Sequence, residues 1–272
     1  ELPPLNPNVA SWDSLTSAQQ LIEARKMELY AGMVDHLDGQ MGRLIAYLES
    51  IDALDNTQII FMSDNGAAPE DFFYKGSFKE HSQKYFNNDY ENMGNPDSYV
   101  SYGPQWAEAG TAAFRDHKTY TRQGGMVAPF IIAGNGVEKG ASTNVFTTLL
   151  DIAPTIYEWA GTEYPSAFNN QEIYPLKGKT LVDFLANVES SVHDSTYVFA
   201  IEHSGNILVR KGDWKLYGAG YPIDENKFEL YNLAMDITES KDLSSDFPDK
   251  RQEMVVLWQE YQRESRILLE RP

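Results

Sequence analysis

Apolar residues recur every three or four positions from about Ser17 to Leu48. Met27, Tyr30, Ala31, Val34, Leu37, Met41, Leu44, Ile45 and Leu48 fall on one face of a single long helix. Asp52 to Asn56 read as a turn. The β-branched run from Thr57 to Ser63 then has the pattern of a buried parallel strand. Residues 126–133 read as a second buried strand, which Pro129 pushes toward an edge or a bulge. Val145 to Ala160 reads as a helix with Pro154 near its start or at a break, closed by Gly161. Leu181 to Ala186 is a short helix. Thr196–Ile201, Ile207–Arg210, Trp214–Tyr217 and Phe228–Tyr231 alternate with period two, as short strands separated by turns do. Residues 249–268 close the chain with an amphipathic helix whose apolar side carries Met254, Val255, Leu257, Trp258, Tyr261 and Ile267.

Two stretches break this order. Residues 1–15 form an irregular, proline-rich lead-in. Residues 66–117 are polar and hold eleven aromatics, including Phe72, Phe73, Tyr85, Phe86, Tyr99, Tyr102 and Trp106, with no sustained period. A structureless segment of that length inside a domain is usually functional, so some of these rings are expected to line a pocket and the rest to pack a small core. Helices and strands alternate first, then strands cluster before one helix. The expected fold class is α/β, with an α/β domain over residues 1–190 and a small α+β domain over 191–272.

Charge narrows the partners. A net charge of −18 opposes binding to nucleic acid or to an anionic bilayer, and no apolar run reaches the roughly 20 residues of a membrane span. An anionic substrate would need a local cation or a metal. The chain has no cysteine, which excludes disulfides, thiolate metal sites and a cysteine nucleophile.

Candidate chemistry gathers at two points. Asp64-Asn65-Gly66 follows the first strand directly. A carboxylate beside an amide oxygen suits a hard cation such as Ca²⁺ or Mg²⁺, although the same residues also make ordinary turns. Lys118, in Arg115-Asp116-His117-Lys118, precedes the second strand and offers a compact charge to a tetrahedral oxyanion; a solvated surface lysine is the alternative. The five histidines are scattered, without ligand spacing. Asp35 and Asp38 read as solvated or capping.

Arg115, Lys118 and Gly124-Gly125 resemble the sulfatase family pattern of Arg, two residues, Lys, four residues and Glu-Gly-Gly before an apolar strand, with Gln123 in place of Glu. Met27–Asp38, Asp151-Ile152-Ala153-Pro154-Thr155, Pro175–Leu181, Val209–Tyr217 and Glu229–Leu233 resemble other blocks of that family in the same order. The resemblance implies an alkaline-phosphatase-like mixed sheet flanked by helices (incomplete here), followed by a small domain with an antiparallel sheet and one long helix. It implies that Asp64 and Asn65 are ligands of Ca²⁺ or Mg²⁺, that Lys118 contacts the sulfate of a sulfate ester, and that Arg115 assists binding. It further implies a formylglycine nucleophile, whose Cys/Ser-x-Pro-x-Arg motif does not occur in these residues. The chain therefore reads as the C-terminal part of an arylsulfatase-like enzyme, inactive alone, weak in Ca²⁺ affinity, and prone to pair with its missing N-terminal half or to self-associate. A periplasmic or secreted location is the matching expectation. Asn65, rather than His, favours sulfate over phosphate. A phosphodiesterase or phosphonate monoester hydrolase of the same superfamily, and a non-catalytic binding module, are the alternatives.

Overall fold

The structure, a computed structural model, describes residues 3–267. Glu1, Leu2 and residues 268–272, on which parts of the expected lead-in and last helix fall, lie outside them. In chain order the main elements begin with α1 (Ser17–Ser50), β1 (Ile59–Met62), α2 (Lys79–Tyr85), α3 (Pro104–Thr111), α4 (Gln123–Met126) and β2 (Phe130–Ala133). They continue with α5 (Ile152–Trp159), β3 (Ala167–Phe168), β4 (Gln171–Glu172), α6 (Val182–Leu185) and β5 (Val198–His203). The last four are β6 (Asn206–Lys211), β7 (Trp214–Gly218), β8 (Glu229–Asn232) and α7 (Pro248–Ser265). Two compact units result. One takes in the chain up to Leu44, Asn65–Ala128 and Val198 onward; the other takes in Ile45–Asp64 and Pro129–Tyr197.

The first unit is built on the antiparallel sheet β5-β6-β7-β8. The β5–β6 hairpin turns through Ser204 and Gly205, both at positive φ, the two-residue geometry that matches strand twist. Ile207, Val209, Leu216 and Leu230 on one face pack with Phe228 and with Met254, Val255 and Trp258 of α7. The opposite face is covered as well, because Leu208, Tyr217 and Tyr231 are also buried. There Arg122 lies 3.7 Å from the centroid of the Tyr217 ring, and Thr121 Oγ1 donates to the Ile207 carbonyl at 2.7 Å. The segment carrying Lys118 is thus fastened to the back of the sheet.

In the same unit, α1 is held to the aromatic segment by polar contacts. Lys26, the one fully buried residue of α1, pairs with Glu23 at 2.8 Å and Asp71 at 3.2 Å. The Trp106 indole donates to the Glu23 carbonyl. Much of the expected apolar face of α1 is open: Tyr30, Val34, Leu37 and Leu44 are exposed, whereas Met27, Met41, Ile45 and Leu48 are half-buried. Residues 66–117 are not structureless either. They contain α2 and α3, each of about two turns, too short to impose a sustained period.

The second unit corrects the strand reading. β1 pairs with β2 antiparallel, in register Ile59↔Ala133 to Met62↔Phe130, rather than in a parallel sheet. An apolar run encodes burial tendency and not direction; direction comes from the partner. A two-stranded ladder covers neither of its faces, so Phe61, Met62, Phe130 and Ile131 remain exposed. Pro129 sits just before β2, where it need not donate to the ladder. The expected helix at 145–160 shortens to α5, with Pro154 in its first turn. Asp151 organises this region. Fully buried, it accepts from Thr148 N (2.6 Å), Thr148 Oγ1 (3.1 Å) and Lys179 N (2.8 Å), and it bonds His193 Nε2 at 3.0 Å. Tyr197 stacks on His193 at 3.7 Å. No helix among the described residues is long and apolar enough to cross a membrane.

Candidate active site

The Asp-Asn-Gly turn leaves β1 where Ser63 N–H donates to the Pro129 carbonyl at 3.1 Å. Asp64 ends its stretch of the second unit and is exposed; Asn65 opens a stretch of the first and is half-buried. Gly66 is buried, and its N–H donates to the Gly125 carbonyl at 3.2 Å. A Cβ there would stand 1.9 Å from the Gly124 oxygen, so backbone meets backbone at that point and only glycine fits.

Lys118 belongs to the first unit, on a turn tied to the same segment. Its N–H donates to the Ala67 carbonyl at 3.1 Å, and its half-exposed ammonium lies 3.5 Å from the Glu70 carboxylate. Glu70 carries no sequence signal, since one acidic residue in a polar loop is unremarked. His117 is buried, with Nδ1 3.1 Å from the Lys118 carbonyl oxygen. Arg115 turns the other way and donates from Nη1 to the Glu239 carbonyl at 3.1 Å.

The support beneath this turn is ionic and buried. Arg122 pairs with Asp116 at 3.3 Å and Glu229 at 2.5 Å, and Asn6 donates to the other Asp116 oxygen at 2.9 Å. Burial pushes the Arg122 guanidinium down, but Tyr231, Glu229 and Tyr217 outweigh it and hold the guanidinium above its ordinary range. The fully buried Lys215 reaches Glu239 at 2.8 Å and the Gln123 amide oxygen at 3.2 Å, while Gln123 N–H donates to Glu239 at 2.6 Å. Burial pushes the Lys215 ammonium down to about 8, with Glu239 opposing. Gln123, where the family pattern has Glu, is therefore part of a buried network in which Glu239 supplies the carboxylate.

Asp64 and Asn65 offer two oxygen ligands of the type hard cations take. Among the described residues no group of three or more His, Asp or Glu side chains is placed to hold a metal. The donor chemistry fits Ca²⁺ or Mg²⁺, but two side chains are only part of a six- to eight-oxygen shell.

Comparison with known proteins decides the family. The sulfatase family model matches residues 5–162. An uncharacterized sulfatase of Schizosaccharomyces pombe is 36% identical over 268 residues, 95% of this chain and 47% of that protein. The chain belongs to the sulfatase family. An arylsulfatase of Klebsiella aerogenes is 37% identical over 172 residues, 62% of this sulfatase chain and 37% of that enzyme. The crystal structure of Ps i-CgsB in complex with k-i-k-neocarrahexaose matches with a TM-score of 0.58 at 22% identity, over 85% of this chain and 42% of that one. The fold is the alkaline-phosphatase-like α/β fold of the sulfatases, closing in an antiparallel sheet and a long helix. The chain spans about half the length, or less, of the curated relatives it matches.

Proposed function

We propose that this chain carries part of the active site of a sulfuric ester hydrolase. Lys118 is the cation that receives the sulfuryl oxygens. Asp64 and Asn65 are two of the oxygen ligands of a Ca²⁺ or Mg²⁺, which when bound would stabilise negative charge on those oxygens. The observation that supports this most is a pair of backbone hydrogen bonds, Gly66 N–H to Gly125 O and Lys118 N–H to Ala67 O. They splice together two motifs that lie some fifty residues apart in sequence. Arg115, committed to a backbone carbonyl, helps to shape the lysine's turn. Because these 272 residues carry no Cys/Ser-x-Pro-x-Arg motif, the aldehyde nucleophile is contributed by sequence beyond them, and the chain by itself is a poor catalyst. A periplasmic or secreted location suits this reading.

Titration of the purified chain with inorganic sulfate tests it. We expect amide NMR shifts at residues 66–68 and 117–119, lost in Lys118→Ala with the fold retained. Sulfate binding that is indifferent to Lys118 would sink the assignment. Turnover of 4-nitrophenyl sulfate by the wild-type chain alone would sink the expectation of inactivity.

A further inference from the structure

Beside Lys118, within the first unit, the aromatic segment encloses an open cavity of about 370 Å³. Glu70, Phe72, Ser98, Tyr99, Ser101 and Tyr102 are among the residues that line it. That volume lies at the small end of the roughly 300–1,000 Å³ typical of small-molecule sites and has room for one ring.

The walls are preformed. The buried Asn88 clamps Tyr99 with both ends of its amide: Nδ2 donates to the Tyr99 carbonyl at 2.7 Å, and Oδ1 accepts from Tyr99 N–H at 2.8 Å. Phe86 braces the Tyr99 ring at 5.1 Å, yet Tyr99 stays 41% exposed. Ser101 Oγ accepts from Phe72 N–H at 3.1 Å, and Tyr30 packs on Tyr102 at 4.5 Å. A ring held this firmly and left open gives contact area at little cost in conformational freedom.

Glu70 sets the chemistry of the ligand. Glu70 lines the cavity, and its carboxylate lies 3.5 Å from the Lys118 ammonium. If Lys118 turns to a sulfate group, Glu70 loses its cation. An ionised carboxylate accepts hydrogen bonds and cannot donate them, so a ligand that displaces water from this one-third-exposed carboxylate is favoured where it supplies donors in the water's place. A plain aryl ring offers none. A sugar ring presents C–H groups to Tyr99 and Tyr102 and hydroxyl donors to Glu70.

Resting on the sulfatase reading, we infer that this cavity takes the organic half of the ester as a pyranose-sized, hydroxyl-bearing ring, with Tyr99 as its stacking platform and Glu70 as its hydroxyl acceptor. Glu70 then exchanges partners, from Lys118 in the free protein to the sugar in the complex.

The test uses the 272-residue chain and saturation-transfer NMR with three proton-bearing probes, methyl glucoside, glucosamine 6-sulfate and 4-nitrophenyl sulfate, while inorganic sulfate, which has no proton, is followed by the amide shifts of the protein. Saturation of sugar ring protons is expected for both sugars. Tyr99→Ala should weaken sugar binding about three- to tenfold, the loss of one aromatic contact, and leave inorganic sulfate binding unchanged. Glu70→Gln should also weaken sugar binding while strengthening inorganic sulfate binding, because Lys118 is released. Sugar binding unaffected by Tyr99→Ala, or saturation of the nitrophenyl ring without the sugars, overturns the inference. Methyl glucoside carries no sulfate, so its binding reports the cavity even where the inorganic-sulfate titration has already ruled out Lys118 as the sulfate's partner.

Discussion

Lys215 and Glu239 share one buried contact with opposed energetics. Each charge is costly to bury alone, and each is tolerated because the other is 2.8 Å away. Lys215→Met leaves Glu239 unpaired in the interior and should cost about 3–5 kcal/mol, whereas Lys215→Met with Glu239→Gln should lie close to wild type. Urea denaturation of the three proteins distinguishes these outcomes. The same lysine gives a pH signature. Its folded value of about 8 lies below the ordinary 10.5. Between those values the unfolded chain binds a proton that the folded chain has released, so stability from this group rises with pH. The slope is at most about 1.4 kcal/mol per pH unit. Unfolding free energies at pH 8, 9 and 10 should show it in the wild type and not in the double variant. None of this was legible in sequence. Asp64, Asn65 and Lys118 could be picked out because a motif places them, but Lys215 and Glu239 acquire meaning only through a tertiary meeting across the back of the sheet.

The same contrast recurs for whole elements. α1, α7 and the four strands from β5 to β8 repeat their pattern long enough to be read, and they form within a few residues of the expected bounds. The helices inside 66–117 are two turns long, and the stretch between them is fixed by clamps such as Asn88 on Tyr99 rather than by periodicity. Strand direction at β1 was illegible because its partner, β2, lies on the far side of a long excursion through the other unit. Asp151 shows how much one residue can do for an element. It closes a capping box with Thr148 ahead of α5 and also receives Lys179 N–H and His193. Asp151→Ala should strand several buried groups at once and cost about 3 kcal/mol or more. Hydrogen exchange should show the loss at residues 148–160 and 178–182, with the β5–β8 sheet unaffected; uniform loosening of the whole chain would contradict this assignment.

For the whole molecule, the acidic surface and the open apolar faces act against each other. At −18 the chains repel one another. Met33, Val34, Leu37, Phe61 and Ile131 nonetheless remain in water. Salt screens the repulsion, since the Debye length falls from about 10 Å at 0.1 M to about 3 Å at 1 M, and leaves the apolar faces unchanged. Self-association should therefore grow as salt is added. Light scattering that shows a monomer at every ionic strength would refute this, and Met33→Glu with Leu37→Glu should reduce the effect.

The carboxylate opposite Lys215 need not come from position 239. Gln123 already touches the same ammonium through its amide oxygen, so the acid and the amide can be exchanged between the two positions by substitution. Gln123→Glu alone should destabilise, because it sets two carboxylates against one lysine in a dry interior. Gln123→Glu combined with Glu239→Gln should recover most of the loss in a thermal melt. What the buried ammonium requires is one carboxylate and one amide, and either of the two positions has the reach to supply the acid.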